Sequence, residues 1–294
     1  MAIKNKLLTV LAVFVILLIF TGAGAFKGDT VTRDAADISK VNIVGGVESG
    51  MPENSAMVFC GSTLGKTLSG YNAYKNMDET LFALKSGEVD AIWTCDVTAD
   101  YLKAKDPALK SLPVSEMSDI QNTENARFEF GMALKDTEEA KKLKGEIDRV
   151  LQDMKNDGAL NELTALYISG APWYDTEEGK EKRLYPDDIR SLSGKETIYV
   201  GITGAVPPIE CVDEDGEPYG FCVALMDEIG ARLSKRIKFV VLDNETAFTS
   251  LMKGRVDLIF AYGTGEITTE SKKKFITTAG YYPMGRYEFL MYVK

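Results

Sequence analysis

Histidine is absent from all 294 residues of this chain. That removes the commonest general base and the commonest zinc ligand, so triad hydrolysis and imidazole-based metal chemistry are excluded and neither a metal nor a cofactor is expected. The groups left for chemistry are carboxylates, hydroxyls and four cysteines. Cys211 and Cys222 flank V-D-E-D-G-E-P-Y, whose Asp-Gly step is a strong hairpin signal, so these two could pair. Cys60 and Cys95 fall together in the earlier part of the chain. The alternative is four small buried residues that never pair, and spacing alone does not fix connectivity. A net charge of −10 and the lack of a basic stripe argue against nucleic acid as a partner.

The elements that would position such groups announce themselves as a repeat. Glu79 to Ile92 reads E-T-L-F-A-L-K-S-G-E-V-D-A-I, and Ala247 to Ile259 reads A-F-T-S-L-M-K-G-R-V-D-L-I. Leu81 and Leu84, like Phe248 and Leu251, are three apart and share a helix face. Lys85 and Gly87, like Lys253 and Gly254, supply the cation and the left-handed residue that end helices. Val89 to Trp93 and Val256 to Ala261 then read as buried strands of a parallel sheet. The copies lie 167 residues apart, too far for a solenoid, so they mark equivalent units in two α/β lobes. With 45% hydrophobic residues the chain can bury two cores.

Residues 1–25 read as a signal peptide or N-terminal anchor. Lys4 and Lys6 precede an apolar run from Leu7 to Phe20, and Ala23-Gly24-Ala25 offers small residues for cleavage. The run falls short of the roughly 20 residues needed to span a bilayer, so export with cleavage is expected and an uncleaved anchor is the alternative. Further on, Val41 to Val47 reads as a strand, and Pro52 opens a helix to about Leu64. Tyr71 to Lys75 and Phe128 to Leu134 read as strands. Asp136 is an N-cap candidate for a helix whose stripe is Ala140, Leu143, Ile147, Val150, Leu151 and Met154, closed by Gly158. Residues 169–196 read as a linker.

Ile198 to Lys294 resembles the opening of the family 3, polar amino acid type, extracytoplasmic solute-binding proteins of ABC transporters. The resemblance rests on V-G-I-T-G-A-V-P-P-I-E, D-E-D-G-E-P-Y-G-F-C-V-A-L-M-D-E-I, S-L-M-K-G-R-V-D-L-I-F, I-T-T-E-S-K-K-K and Y-Y-P-M-G-R-Y-E-F-L-M. Val41 to Ile168 resembles that family's second half through K-N-M-D-E-T-L-F-A-L-K-S-G-E-V-D-A-I, V-T-A-D-Y-L, F-G-M-A-L-K and V-L-Q-D-M-K-N-D-G-A-L-N-E-L. The resemblance implies a two-lobed α/β fold of the type II periplasmic-binding-protein kind with its halves in permuted order. Residues 40–130 would form lobe 2, 131–168 the return strand and helices to lobe 1, 169–196 the linker and 197–294 lobe 1. A circular permutant joins the family's chain ends through the linker, as nearby surface termini allow. The rival is a fragment completed by another chain through swapping.

Carried over position by position, the family's carboxylate-binding arginine is replaced by Ser271, its ammonium-binding aspartate by Cys95 with Asp96 beside it, and its paired helix-start hydroxyls by Met51 and Pro52 after Gly50. Serine does not reproduce a bidentate arginine pair. The pocket implied by the resemblance then consists of Thr203 and Val206 on the first loop, Asn244 after the second strand, Tyr262, Gly263, Thr264 and Glu266, with Gly50, Met51 and Asp96 from lobe 2. Tyr262 would stack on a ligand, Gly263 and Thr264 would offer donors, and Glu266 or Asp96 would hold a cationic group. Trp93, inside its strand, reads as core.

The resemblance implies a non-catalytic, exported, periplasmic or cell-surface monomer that closes on a small polar solute and hands it to an ABC permease. Membrane attachment would come only through an uncleaved leader. The alternatives are an enzyme on the same fold, similar to cyclohexadienyl dehydratases and using Glu210, Glu266 or Asp96, or a sensor with a degenerate cleft.

Overall fold

The computed structural model describes residues 37–47, 53–112, 129–189, 196–263, 274–285 and 287–293. The leader therefore lies outside the described residues, and no helix among them is long and apolar enough to cross a membrane.

The chain begins with a βαβ series: β1 (Ile43–Val47), α1 (Glu53–Leu64), β2 (Gly70–Tyr74), α2 (Met77–Ser86), β3 (Ala91–Cys95), α3 (Asp96–Lys105) and β4 (Leu109–Ser111). The boundaries of α2 follow its sequence. The Asn76 side chain caps the Glu79 N–H at 2.9 Å, and Gly87 takes the left-handed turn at φ 83° that ends it. A second series follows: β5 (Glu129–Lys135), α4 (Glu138–Asp157) and α5 (Ala159–Thr164), then π and 3-10 turns over Ala165–Ser169 and Ala171–Asp175 and the short α6 (Glu177–Lys180). Thr137, not the expected Asp136, caps α4 by accepting from the Ala140 N–H at 3.2 Å. Asp136 instead pairs with Lys141.

The remaining elements are β6 (Thr197–Ile202), β7 (Cys211–Val212), β8 (Pro218–Tyr219), α7 (Phe221–Leu233), β9 (Arg236–Val241), α8 (Asn244–Met252), β10 (Leu258–Gly263), β11 (Phe275–Thr277), β12 (Tyr282–Pro283) and β13 (Tyr287–Tyr292). Two main sheets result. The lobe 2 sheet has the order β2-β1-β3-β13-β4, and the lobe 1 sheet, taken from its β9 edge, has the order β9-β6-β10-β5-β11. Apart from β12, which also pairs with β5, the two orders are the same: second, first and third parallel strands, then a strand arriving from the other lobe, then a short edge strand. The visiting strands are antiparallel to their neighbours, β13 against β3 and β5 against β10.

This exchange alters one expected boundary. Residues 197–294 are not all in lobe 1, because β13 sits between β3 and β4 in the other sheet. Its Y-E-F-L-M-Y pattern buries Glu288, Phe289 and Leu290 there. The ends of the repeated units explain why the sequence repeats. The Asp90 carboxylate accepts from the Asn42 and Ile43 N–H groups at 2.8 and 2.9 Å, and Asp257 accepts from the Tyr199 N–H at 2.8 Å. Each aspartate therefore pins the start of its own sheet's first strand.

Lobe 1 buries a continuous core in which Ile147, Val150, Leu151 and Met154 of α4 meet Val200, Ile202, Phe221, Leu225, Leu258 and Phe260. A smaller cluster around Ala247, Leu251 and Phe275 fills the other face of that sheet under α8. Lobe 2 splits likewise, with α2 and α3 on one face around Leu84 and Leu102 and α1 on the other around Cys60 and Phe289. All four cysteines are buried and free. Of the two readings left open by the sequence, the unpaired one describes Cys211 and Cys222: Cys211 stands opposite Tyr219 in the β7–β8 ladder, and Cys222, already inside α7, directs its thiol to the Tyr219 carbonyl at 3.4 Å.

Candidate functional site

In parallel α/β sheets, ligands bind beyond the carboxyl ends of the strands. In lobe 1, β6 runs into the loop Thr203–Glu210. Glu210 is 1% exposed, and its carboxylate folds back on this loop to accept from the Thr203 hydroxyl, the Thr203 N–H at 3.3 Å and the Ala205 N–H at 3.2 Å. Burial pushes its pKa up to about 7, against the opposing pull of the Thr203, Ala205 and Gly204 donors. Its oxygens are committed to shaping the loop.

In lobe 2, β3 runs directly into α3. The Thr98 hydroxyl donates across to the Pro207 carbonyl at 2.6 Å and lies 3.3 Å from the Cys95 sulfur. Cys95 and Val97 join the core of lobe 1 rather than that of their own lobe. Burial raises the Cys95 thiol, which keeps it neutral. The position corresponding to the family's aspartate thus carries no charge and packs against the opposite lobe.

Asp96 is the carboxylate nearest that position. One oxygen accepts from its neighbour's Val97 N–H at 2.8 Å. The other faces Gly285, on the crossing between β12 and β13, where a Cβ would lie 1.9 Å from it. A side chain there would force the Asp96 carboxylate to move. Tyr282, on the same crossing, is raised by burial and by the charges of Asp96 and Asp100. Asp96, the crossing strand and the Thr203–Glu210 loop therefore meet along one interlobe seam.

The other expected residues distribute unevenly. Thr203 is half-buried beside Glu210, and Val206 packs on the lobe 1 core. Asn244 opens α8. Tyr262 does not turn toward the seam; its ring meets Phe248 and Phe275 edge-on, each at 5.5 Å. A bulge in β10 between Ile259 and Tyr262 is the reason. Phe260 and Ala261 both pack on the main lobe 1 core, Ala261 with φ at 52°, so the alternation shifts by one and Tyr262 emerges on the α8 face. Gly263 is buried opposite Phe130. Gly50, Met51, Thr264, Glu266 and Ser271 lie outside the described residues.

Three participants were not singled out from sequence. Thr98 is signalled only by its place three residues after Cys95 on a helix start. Phe59 and Tyr287 flank the half-buried Trp93 with ring centroids 5.3 and 4.8 Å away. Trp93 thus belongs to an aromatic row that joins α1, β3 and the β13 crossing, and its buried indole N–H has no hydrogen-bond partner among the described residues. Among the described residues no group of three or more histidine, cysteine or acidic side chains is placed to hold a metal.

Residues 198–290 match the family model described as bacterial extracellular solute-binding proteins, family 3. A curated relative, the probable ABC transporter arginine-binding protein ArtJ of Chlamydia trachomatis, is 32% identical over 90 residues, which are 31% of this chain and 34% of the relative. The match thus spans about a third of that relative's length. Among solved structures, a ligand-binding component of an ABC-type import system from Staphylococcus aureus with zinc bound is similar at 11% identity and a TM-score of 0.41, covering 85% of this chain and 65% of that one. The BvgS VFT2 domain of Bordetella pertussis is similar at 10% identity and a TM-score of 0.42, covering 85% and 79%. The described chain therefore has an α/β fold built on two main sheets that exchange a strand, and its residues 198–290 are similar to the family 3 bacterial extracellular solute-binding proteins.

Proposed function

We propose that this chain is a circularly permuted extracytoplasmic solute-binding protein that captures a small polar solute at the interlobe seam for an ABC-type importer. The observation that carries the reading is the matched strand order of the two sheets, each completed by one strand from the other lobe. That arrangement lets a single chain assemble both lobes and needs no swapped partner. The family match of residues 198–290 supports the function, and the arginine-binding assignment of the related ArtJ supports an amino-acid-like or cationic solute.

The ligand chemistry follows from what replaced the family's anchors. Cys95 is neutral and buried, so a cationic group would be held by Asp96, the carboxylate on the seam. The unpartnered Trp93 N–H would supply a donor to an oxygen of the solute. A dehydratase-like reading is less favoured, because the buried Glu210 spends both oxygens on its own loop and has none free for a substrate proton.

Thermal unfolding of the mature chain against L-arginine, other amino acids, amines and organic acids tests the reading. A ligand at 100 times its Kd stabilises by about 2.7 kcal/mol. Asp96→Asn should abolish most of the midpoint shift for cationic solutes, because loss of a charged partner costs about 1.5–3 kcal/mol, or roughly 10- to 150-fold in affinity. A shift unchanged in Asp96→Asn would reject Asp96 as anchor, and turnover of any bound solute would favour the enzyme.

A further inference from the structure

We infer that the joining segment Ala171–Ile189 is a strap that fastens the two lobes at a fixed angle, so that this protein lacks the free hinge opening of a simple two-lobed clamp. The inference concerns the lobes themselves and holds whether or not a solute is ever bound.

The segment belongs to both cores at once. Ala171 packs in the lobe 2 cluster with Tyr101, Leu102 and Leu290, whereas Ile168 before it and Leu184 and Ile189 after it pack on lobe 1. Of the carboxylates between these anchors only Asp175 is withdrawn from solvent, its side chain 12% exposed. One of its oxygens accepts from the Tyr101 hydroxyl and pairs with Lys105 at 3.0 Å, both on α3 of lobe 2. The other accepts from the Tyr219 hydroxyl of lobe 1 at 3.2 Å and from Arg183 at 2.6 Å. The Arg183 guanidinium lies 4.0 Å over the Tyr219 ring and donates to the Tyr174 carbonyl at 3.0 Å, and the Gly220 N–H donates to the Leu184 carbonyl at 3.1 Å. A single buried charge is therefore shared between a helix of one lobe and a hairpin of the other. Burial alone would raise its carboxyl, yet the Tyr101 hydroxyl, Lys105 and Arg183 hold it below the usual carboxylate value.

Geometry makes this a lock rather than a tether. α3 is already held near its start by Thr98 on Pro207, and the Asp175 contacts hold it again at Tyr101 and Lys105. A helix fixed to the opposite lobe at two points cannot rotate about the crossing strands without breaking one of them. The turn itself is tightly built: a Cβ on Gly179 would meet the Trp173 carbonyl at 2.0 Å. The gap enclosed by Tyr101, Tyr167, Tyr174, Tyr219 and Cys211 measures about 10 Å³, room for at most one water. Hinge closure elsewhere relies on a few residues that change freely between two arrangements; here the strap side of the lobes is packed and charge-paired around Asp175.

The test is the interlobe distance in the unliganded full chain. Spin labels on Glu79→Cys and Lys238→Cys, exposed positions on α2 and β9, report on the two lobes, and the four buried native thiols are shielded from labelling. The parent should give one narrow distance distribution. Asp175→Ala should broaden it or add a longer population, with the ratio of open to closed forms rising about tenfold, as loss of a charge-assisted pair implies. Tyr101→Phe removes one hydroxyl and leaves the lobe 1 contacts of Asp175 in place; it should shift the same ratio a few-fold and serves if Asp175→Ala fails to fold. A parent distribution already broad, or one unmoved by Tyr101→Phe in a folded protein, would overturn the strap.

Discussion

The two lobes share a scaffold and differ at its working end. In each, a helix, a glycine-containing turn and a Val-Asp pair lead into the third strand, and the aspartate grips the first strand's backbone. Beyond that point they part. In lobe 2, β3 ends at Cys95 and passes straight into α3, which reaches across to Pro207. In lobe 1, β10 bulges at Ala261 and turns Tyr262 away under α8. What repeats in the sequence is the part that every α/β unit must build. What does not repeat is where the lobes meet, so recognition is to be sought in the unmatched residues.

The largest expected effect tests whether the lobes are equivalent as folding units. Phe289 on β13 and Leu134 on β5 lie on the visiting strands of the two sheets and are both fully buried. Truncating Phe289 to Ala should cost about 3–5 kcal/mol and Leu134 about 2–5 kcal/mol. Because each visiting strand ties one lobe to the other, both variants should lower a single shared unfolding transition. Two separate transitions by calorimetry, with only one displaced by each variant, would show that the lobes melt independently.

A second effect separates the loops at the strand ends. Glu210 is buried at the end of the loop that follows β6 in lobe 1. The folded-state pKa of Glu210 lies near 7, above the ordinary value of 4.5, so the folded protein holds that proton more tightly than the unfolded chain does. Its contribution is fully present below about pH 4.5 and is lost as pH rises through about 7. The loss is of the order of 3 kcal/mol when fully developed. Glu210→Gln, which keeps an acceptor for the Thr203 and Ala205 N–H groups, should flatten this part of the stability profile. Denaturant melts at pH 4.5, 6 and 7.5 that fall equally in both proteins would remove Glu210 as the source.

Much of this architecture was legible because its signals are local. The α4 stripe, the Gly87 and Gly158 caps and the buried strands each follow from periodicity and backbone preference over a few residues. The position of β13 was not legible, since Y-E-F-L-M-Y fits a buried strand in either sheet and only long-range pairing chooses between them. The direction of Tyr262 was hidden for a related reason: a one-residue bulge inverts the face, and the motif carries no sign of it beyond a non-glycine residue at positive φ. The Asp175 cluster joins residues up to 118 positions apart, from Tyr101 to Tyr219, and no short motif could announce it. The seam residues that were legible, Thr203, Val206 and Asp96, flank strand ends whose positions were themselves well marked.

The smallest effect sharpens the comparison most directly. Asp90 grips two backbone N–H groups at the start of β1 and is half-buried, whereas Asp257 grips one at the start of β6 and is exposed. If the aspartates are the same device in two lobes, their removal should scale with the bonds each makes and with the water available to replace them. Asp90→Ala should then cost about 2 kcal/mol, since it strands two donors, one of them part-buried, and Asp257→Ala about 0.5–1 kcal/mol, since solvent can reach its single donor. The double variant should lose the sum, because no shared partner couples the sites. Amide hydrogen exchange locates the damage: Asn42 and Ile43 should lose protection in the first variant and Tyr199 in the second. Equal costs, or protection lost in the opposite lobe, would mean that the repeated Val-Asp pair does unequal work and that the lobes resemble each other in sequence more than in mechanics.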